Sequence, residues 1–199
     1  MTYEESRMLL SKRLSRTRYE HSLGVADTAG KLARRFGVDE EKARLAGLLH
    51  DNAREFPVAD MIREASLRGI PVTPIDQAMP LLLHAPLGAY RLREVYEVED
   101  EAIARAVALH TVGGAAMTPL DQIVYFADMI EPGRSYPEVS ALRALAETGT
   151  LPEIMLEALS QSILYVVGKG HLVHPDTVTA RNEILLSGAL TKGDSVAVP

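Results

Sequence analysis

The stretch Leu45-Ala46-Gly47-Leu48-Leu49-His50-Asp51 decides how this chain is read, because an almost wholly apolar segment ends in two side chains able to bind a metal ion. Apolar residues at that density belong to a buried helix end, so the polar pair leaving it emerges at the edge of a core. Alone the pair is weak, since a C-terminal His is favoured by the helix dipole and adjacent His-Asp pairs arise by chance. Working outward, the same situation recurs. His84 completes Leu81-Leu82-Leu83-His84-Ala85, and His110 shares a helical face with Ile103, Ala106 and Val107. His21 lies beside Tyr19, Leu23 and Val25, and Asp128 follows Leu120, Ile123, Val124 and Ala127 at helical spacings. Each His taken singly is more often a core residue than a ligand, and Asp128 taken singly is as readily half of a salt bridge. An ionised carboxylate on an apolar face costs several kcal/mol unless it finds a cation or dense hydrogen bonding. Jointly, four of the six histidines and two aspartates sit in or beside apolar segments of different helices. Imidazole plus carboxylate is a donor set for Fe, Mn or Zn.

The rest of the sequence fits an all-α frame. Tyr19, Leu23, Ala26, Ala29, Ala33 and Phe36 mark one helix that Gly37 can end, with Asp39 as the next N-cap. A short helix is expected to finish at 45–51 and another to occupy 58–68, before Gly69, Pro71 and Pro74 break the chain. Further helices are predicted over about 84–98, 100–111, 119–130, 137–148, 152–169 and 175–187, several opening with Pro in the first turn. Alternating strand patterns and fixed-period repeats are absent. The expectation is a single domain over 1–190, an irregular helical bundle with a dimetal site in its core, and a disordered tail over 191–199.

Composition narrows the chemistry. A net charge of −6 gives no general attraction for nucleic acid polymers or anionic lipid, and no apolar run approaches a membrane span. The N-terminus lacks a signal-peptide plan, which predicts a cytoplasmic protein. With no cysteine, metal donors are restricted to nitrogen and oxygen. Asp51 could bridge two ions, since a carboxylate has two oxygens with outward lone pairs whereas a neutral imidazole offers one donor nitrogen.

The order His21, His50-Asp51, His84, His110, Asp128 resembles the HD superfamily of metal-dependent phosphohydrolases. Longer motifs are similar to those of its symmetrical diadenosine tetraphosphate hydrolases, the YqeK family. They include Arg18-Tyr19-Glu20-His21-Ser22-Leu23-Gly24, His50-Asp51-Asn52-Ala53, His84-Ala85-Pro86-Leu87-Gly88 and His110-Thr111-Val112-Gly113. Ala127-Asp128-Met129-Ile130-Glu131-Pro132-Gly133-Arg134, His174-Pro175-Asp176-Thr177 and Ala180-Arg181-Asn182 extend the match, which spans about 16–186. The resemblance implies two transition-metal ions, iron ahead of Mn or Zn, and cleavage of diadenosine tetraphosphate into two ADP. It implies His21, His50, Asp51 and Asp128 around one ion, and His84, His110 and the bridging Asp51 around the other. Arg54 and Gly114 depart from the family pattern, where Lys and a longer or basic residue are frequent.

A diphosphate needs cationic donors. Arg134, following a Pro-Gly turn after the Asp128 segment, is the leading candidate and, with Asp51, is expected to be catalytic. Arg18, Arg54, Thr111, Lys169, His174 and Arg181 are further candidates for nucleotide or phosphate contacts, although Arg and Lys are mostly solvated surface residues and His174 could only cap a helix. Expected partners are a small nucleotide substrate, an ADP- or GDP-like product and at most a second copy of the chain as a homodimer. The competing readings are another HD nucleotide phosphohydrolase and a non-catalytic metal- and nucleotide-binding module.

Overall fold

A computed structural model describes residues 1–188, so the tail expected over 191–199 lies outside the described residues. Eleven α-helices follow one another and no strand is present among those residues. They are α1 (Tyr3–Ser11), α2 (Arg16–Phe36), α3 (Glu40–Leu49), α4 (Met61–Leu67), α5 (Pro74–Ala78), α6 (His84–Tyr96), α7 (Glu101–Leu109), α8 (Pro119–Ile130), α9 (Val139–Thr148), α10 (Leu151–Gly168) and α11 (Pro175–Leu186).

The boundaries follow from local chemistry. Gly37 ends α2 with φ 68°, a left-handed conformation in which a Cβ is strained. Asp39 caps α3 by accepting from Lys42 N at 3.0 Å. Thr118 and Asp121 form a reciprocal capping box with Pro119 in the first turn of α8. Two helices went unread in the sequence. The polar segment at the N-terminus forms α1, nucleated by a Thr2–Glu5 capping box, and it buries Leu10 completely. Within the Gly/Pro-rich break, Thr73 and Asp76 cap the five-residue α5, a piece too short to show an apolar period.

The core runs from Leu10 through Val25, Leu48, Leu49, Ile123 and Phe126 to Leu159 and Ala180. Helices α2, α3, α6, α7 and α8 pack around its centre, and α10 and α11 form a hairpin against one side. A smaller cluster of Ala53, Met61, Ala65, Leu83 and Leu87 seats α4 beside α6. Between α2 and α3 the backbones come close: a Cβ on Gly47 would lie 3.0 Å from Ala26 Cα and 3.1 Å from Val25 O. Those are backbone atoms, so no side chain can turn aside, and the contact fixes the distance between the helices carrying His21 and His50.

Gly47→Ala should therefore destabilise the fold by about 1–3 kcal/mol, the usual cost of overpacking. Gly168→Ala, at a position with nothing within 4 Å, should be neutral or slightly stabilising. Chemical denaturation of the two variants checks this; equal midpoints would show that the α2–α3 contact is not tight.

Candidate metal and phosphate site

Three of the four histidines sit where helices begin or end. His50 and His110 are the C-cap residues of α3 and α7, and His84 opens α6 directly after a 3-10 turn at Pro80–Leu83. Carbonyls in a last turn have no helical partner. His50 and His110 use that vacancy, donating Nδ1–H to the carbonyl three residues back, Gly47 O at 2.7 Å and Val107 O at 2.7 Å, while His84 donates Nδ1–H to Leu81 O in the preceding 3-10 turn, a carbonyl that also accepts from the His84 backbone N–H. His21 lies inside α2 and donates instead to Glu131 Oε1 at 3.0 Å. In every case Nδ1 is committed, and Nε2 faces the centre.

There the Nε2 atoms meet in pairs, His21 with His50 at 3.2 Å and His84 with His110 at 3.0 Å. Asp51 lies between the pairs and divides its carboxylate. Oδ2 is 3.9 Å from His21 Nε2 and 3.7 Å from His50 Nε2, while Oδ1 is 3.3 Å from His84 Nε2 and 3.9 Å from His110 Nε2. Asp128 adds Oδ1 at 3.0 Å from His21 Nε2 and 3.8 Å from His50 Nε2. His50, Asp51, His84 and His110 are all buried, and Asp128 keeps one face toward solvent.

This donor set fits metal ions. Two imidazole nitrogens whose Nδ1 protons are spoken for present lone pairs to each other, an arrangement that repels unless a cation or proton stands between them. Ligand atoms bonded to one ion at about 2.0–2.1 Å lie about 3 Å apart, as these pairs do. A proton is a poor substitute at the deepest positions. Burial, with His50 and His84 beside it, pushes His110 down to about 3, and burial also lowers His50. For His21 burial likewise opposes the charged form, but Asp128 and Glu131 outweigh it and raise the pKa. Burial works against ionisation of Asp51 and Asp128 as well, yet the surrounding imidazoles hold both carboxyls well below the usual range, with Arg134 adding to the effect at Asp128.

Cations border this centre. Arg18 donates to Asp51 Oδ2 at 2.9 Å, and Arg134 reaches Asp128 twice, through Nη2 to Oδ1 and through Nε to the backbone carbonyl at 2.7 Å. Arg54 is half-buried; its backbone N–H donates to Asp51 O at 2.9 Å, and its guanidinium makes no hydrogen bond among the described residues, while desolvation lowers its pKa and it feels both Asp51 and Asp128. Thr111 Oγ lies 3.0 Å from His110 Nε2 and 3.2 Å from His84 Nε2. The remaining candidates have partners elsewhere. Lys169 is exposed beside the Tyr165 ring, His174 caps α11, and Arg181 donates to Ser160 Oγ at 2.8 Å, joining α11 to α10. His171 is exposed.

Several supporting residues were not read in the sequence. Asn52 Nδ2 donates to Leu49 O at 2.8 Å and Gly88 O at 2.9 Å, which ties the His50-Asp51 turn to α6, and Arg91 backs it through Asn52 Oδ1 and Glu55. Arg143 of α9 donates to Ile130 O, Glu131 O and Arg134 O, clamping the turn after α8. Thr177 donates to Val112 O at 2.8 Å, fastening α11 next to Thr111. Asn52, Glu131 and Thr177 fall inside the quoted motifs, but their partners are distant in sequence, and no spacing announces them.

The HD domain family matches residues 18–133, which contains every histidine and aspartate of the cluster. The chain is 37% identical over 189 residues to a Bacillus subtilis protein named symmetrical bis(5'-nucleosyl)-tetraphosphatase, covering 95% of this chain and 100% of that one. A Staphylococcus aureus protein of the same name is 31% identical, with 98% and 100% covered. Among solved structures, an HD superfamily hydrolase of Clostridium acetobutylicum, described as involved in NAD metabolism, superposes with a TM-score of 0.89 at 36% identity, covering 94% of this chain and 98% of that one. The chain belongs to the HD domain family, in the group whose members carry the name symmetrical bis(5'-nucleosyl)-tetraphosphatase.

Proposed function

We propose that this protein hydrolyses diadenosine tetraphosphate and related dinucleoside polyphosphates symmetrically, giving two nucleoside diphosphates, with two transition-metal ions held by His21, His50, Asp51 and Asp128 on one side and by Asp51, His84 and His110 on the other. The observation that carries the reading is the divided carboxylate of Asp51, one oxygen toward each histidine pair. The naming of relatives matched over nearly their full length supports the substrate class. An all-nitrogen-and-oxygen donor set suits iron, with Mn and Zn as alternatives.

When bound, such a pair of ions supplies Lewis acidity toward phosphate oxygens and an activated water. The chain's own residues do the rest. Arg134 and Arg18, each now paired with a carboxylate of the centre, offer guanidinium donors to the phosphates beside the cleaved bond, and Arg54 offers a third that has no competing acceptor. Their charge offsets what accumulates on the departing diphosphate. Thr111 can donate its hydroxyl proton to a phosphate oxygen over the His84–His110 pair. Cleavage two phosphates from either nucleoside makes both products identical, so the site needs to grip only one kind of product.

Asp51→Asn or Asp51→Ala should abolish turnover and lower metal content, while His171→Ala should do neither; elemental analysis of anaerobically purified protein alongside an activity assay checks this. An Asp51 variant with full activity and normal metal would remove the bridge. Arg134→Ala should keep its metal but lose roughly 1.5–3 kcal/mol of transition-state stabilisation, seen as a fall in kcat/KM. The reaction itself is tested in ¹⁸O-labelled water with diadenosine tetraphosphate. ADP should be the sole initial product, with label in one of each pair. AMP and ATP as initial products would refute symmetric cleavage even with the metal centre intact.

A further inference from the structure

We infer that Glu131 is a positioning residue that makes the two halves of the metal centre unequal, by orienting His21 through a side-chain carboxylate where the other three histidines rely on backbone carbonyls. The inference rests on the metal reading above and concerns a residue outside the donor set.

The cause lies in where His21 stands. A histidine at a helix end has a backbone carbonyl three residues back within reach, and His50, His84 and His110 each donate to one. Within α2 the carbonyls accept from the helix ladder, and the Nδ1–H of His21 goes instead to an acceptor on another element. That acceptor is Glu131 Oε1 at 3.0 Å, more than a hundred residues later in the chain. Glu131 is 4% exposed, and its other oxygen accepts from Gly133 N at 2.6 Å. Two glycines make room for it: a Cβ on Gly24 would come 2.5 Å from Oε2, and a Cβ on Gly133 2.9 Å from Oε1. Behind it, Arg143 holds the carbonyls of Ile130, Glu131 and Arg134. The carboxylate is thus fixed on every side and aimed at one imidazole. A carboxylate accepting from a ligating histidine sets its tautomer and ring orientation and raises its basicity more than a neutral carbonyl does. The ion on the His21 side is therefore the one that depends on Glu131. The ion on the His84–His110 side does not.

The test compares the intact protein with Glu131→Gln and Glu131→Ala by anaerobic titration with Mn(II), reading ions bound per chain against free Mn(II), with helicity checked by circular dichroism. The native chain should bind two ions. Glu131→Gln, which keeps an oxygen acceptor and loses the charge, should weaken one ion by about 10–100-fold and leave the other within a factor of two. Glu131→Ala should weaken that same ion further; if it fails to fold, the glutamine variant decides alone. Unchanged affinity for both ions in Glu131→Gln, or equal weakening of both, would overturn the inference while leaving the centre in place. A native chain that binds no pair of ions would overturn the metal reading and this inference together.

Discussion

Four imidazoles face one another across the middle of this bundle because each has given its Nδ1 proton to an acceptor elsewhere. Everything else in the site follows from that commitment. With Nδ1 engaged, only Nε2 is left to point inward, and the inward nitrogens come within 3.0–3.2 Å in two pairs. The apolar packing of α2, α3, α6, α7 and α8 supplies the force that brings these lone pairs together, since a buried Leu or Phe contributes about 1.5–3 kcal/mol and there are many of them. The core thus imposes an electrostatic arrangement that a bound cation would relieve.

The helix ends are what make this economical. Placing His50 and His110 at C-caps satisfies an orphan carbonyl and orients a ring in one stroke. Asp51, immediately after a C-cap, escapes the helix and can turn its two oxygens to different neighbours, which a carboxylate in mid-helix could do less freely. Asp128 and His21 stand inside their helices, and each is held by a further side chain, Arg134 at Asp128 and Glu131 at His21.

Much of this was legible in the sequence, for identifiable reasons. An apolar run such as Leu45 to Leu49 is long enough to announce burial, so His50 and Asp51 stand out against it, and Pro119 to Ile130 carries both its start signal and its period. The helix at Tyr3–Ser11 was missed because its buried face amounts to Ser6 and Leu10 amid charges. Asn52, Glu131 and Arg143 were missed as supports because their work is done on backbone atoms or on partners far along the chain, and local periodicity carries no record of such contacts. Conversely, Lys169, His174 and Arg181 carry the right chemistry for phosphate, but their partners in the fold lie on α10 and α11. Residue type gives chemistry; only packing gives address.

The donors are scattered from residue 21 to residue 128, on or just past the ends of five separate helices. An ion bridging His21 and Asp128 closes a loop of more than a hundred residues, and one at His84 and His110 closes a shorter loop inside it. Closing long loops removes disorder from the unfolded chain as a crosslink does, and any ligand that binds only the folded state stabilises it by mass action. Bound metal would therefore stabilise the folded chain as well as serve the site, and a chain made without it would open more often and meet proteases in the open state.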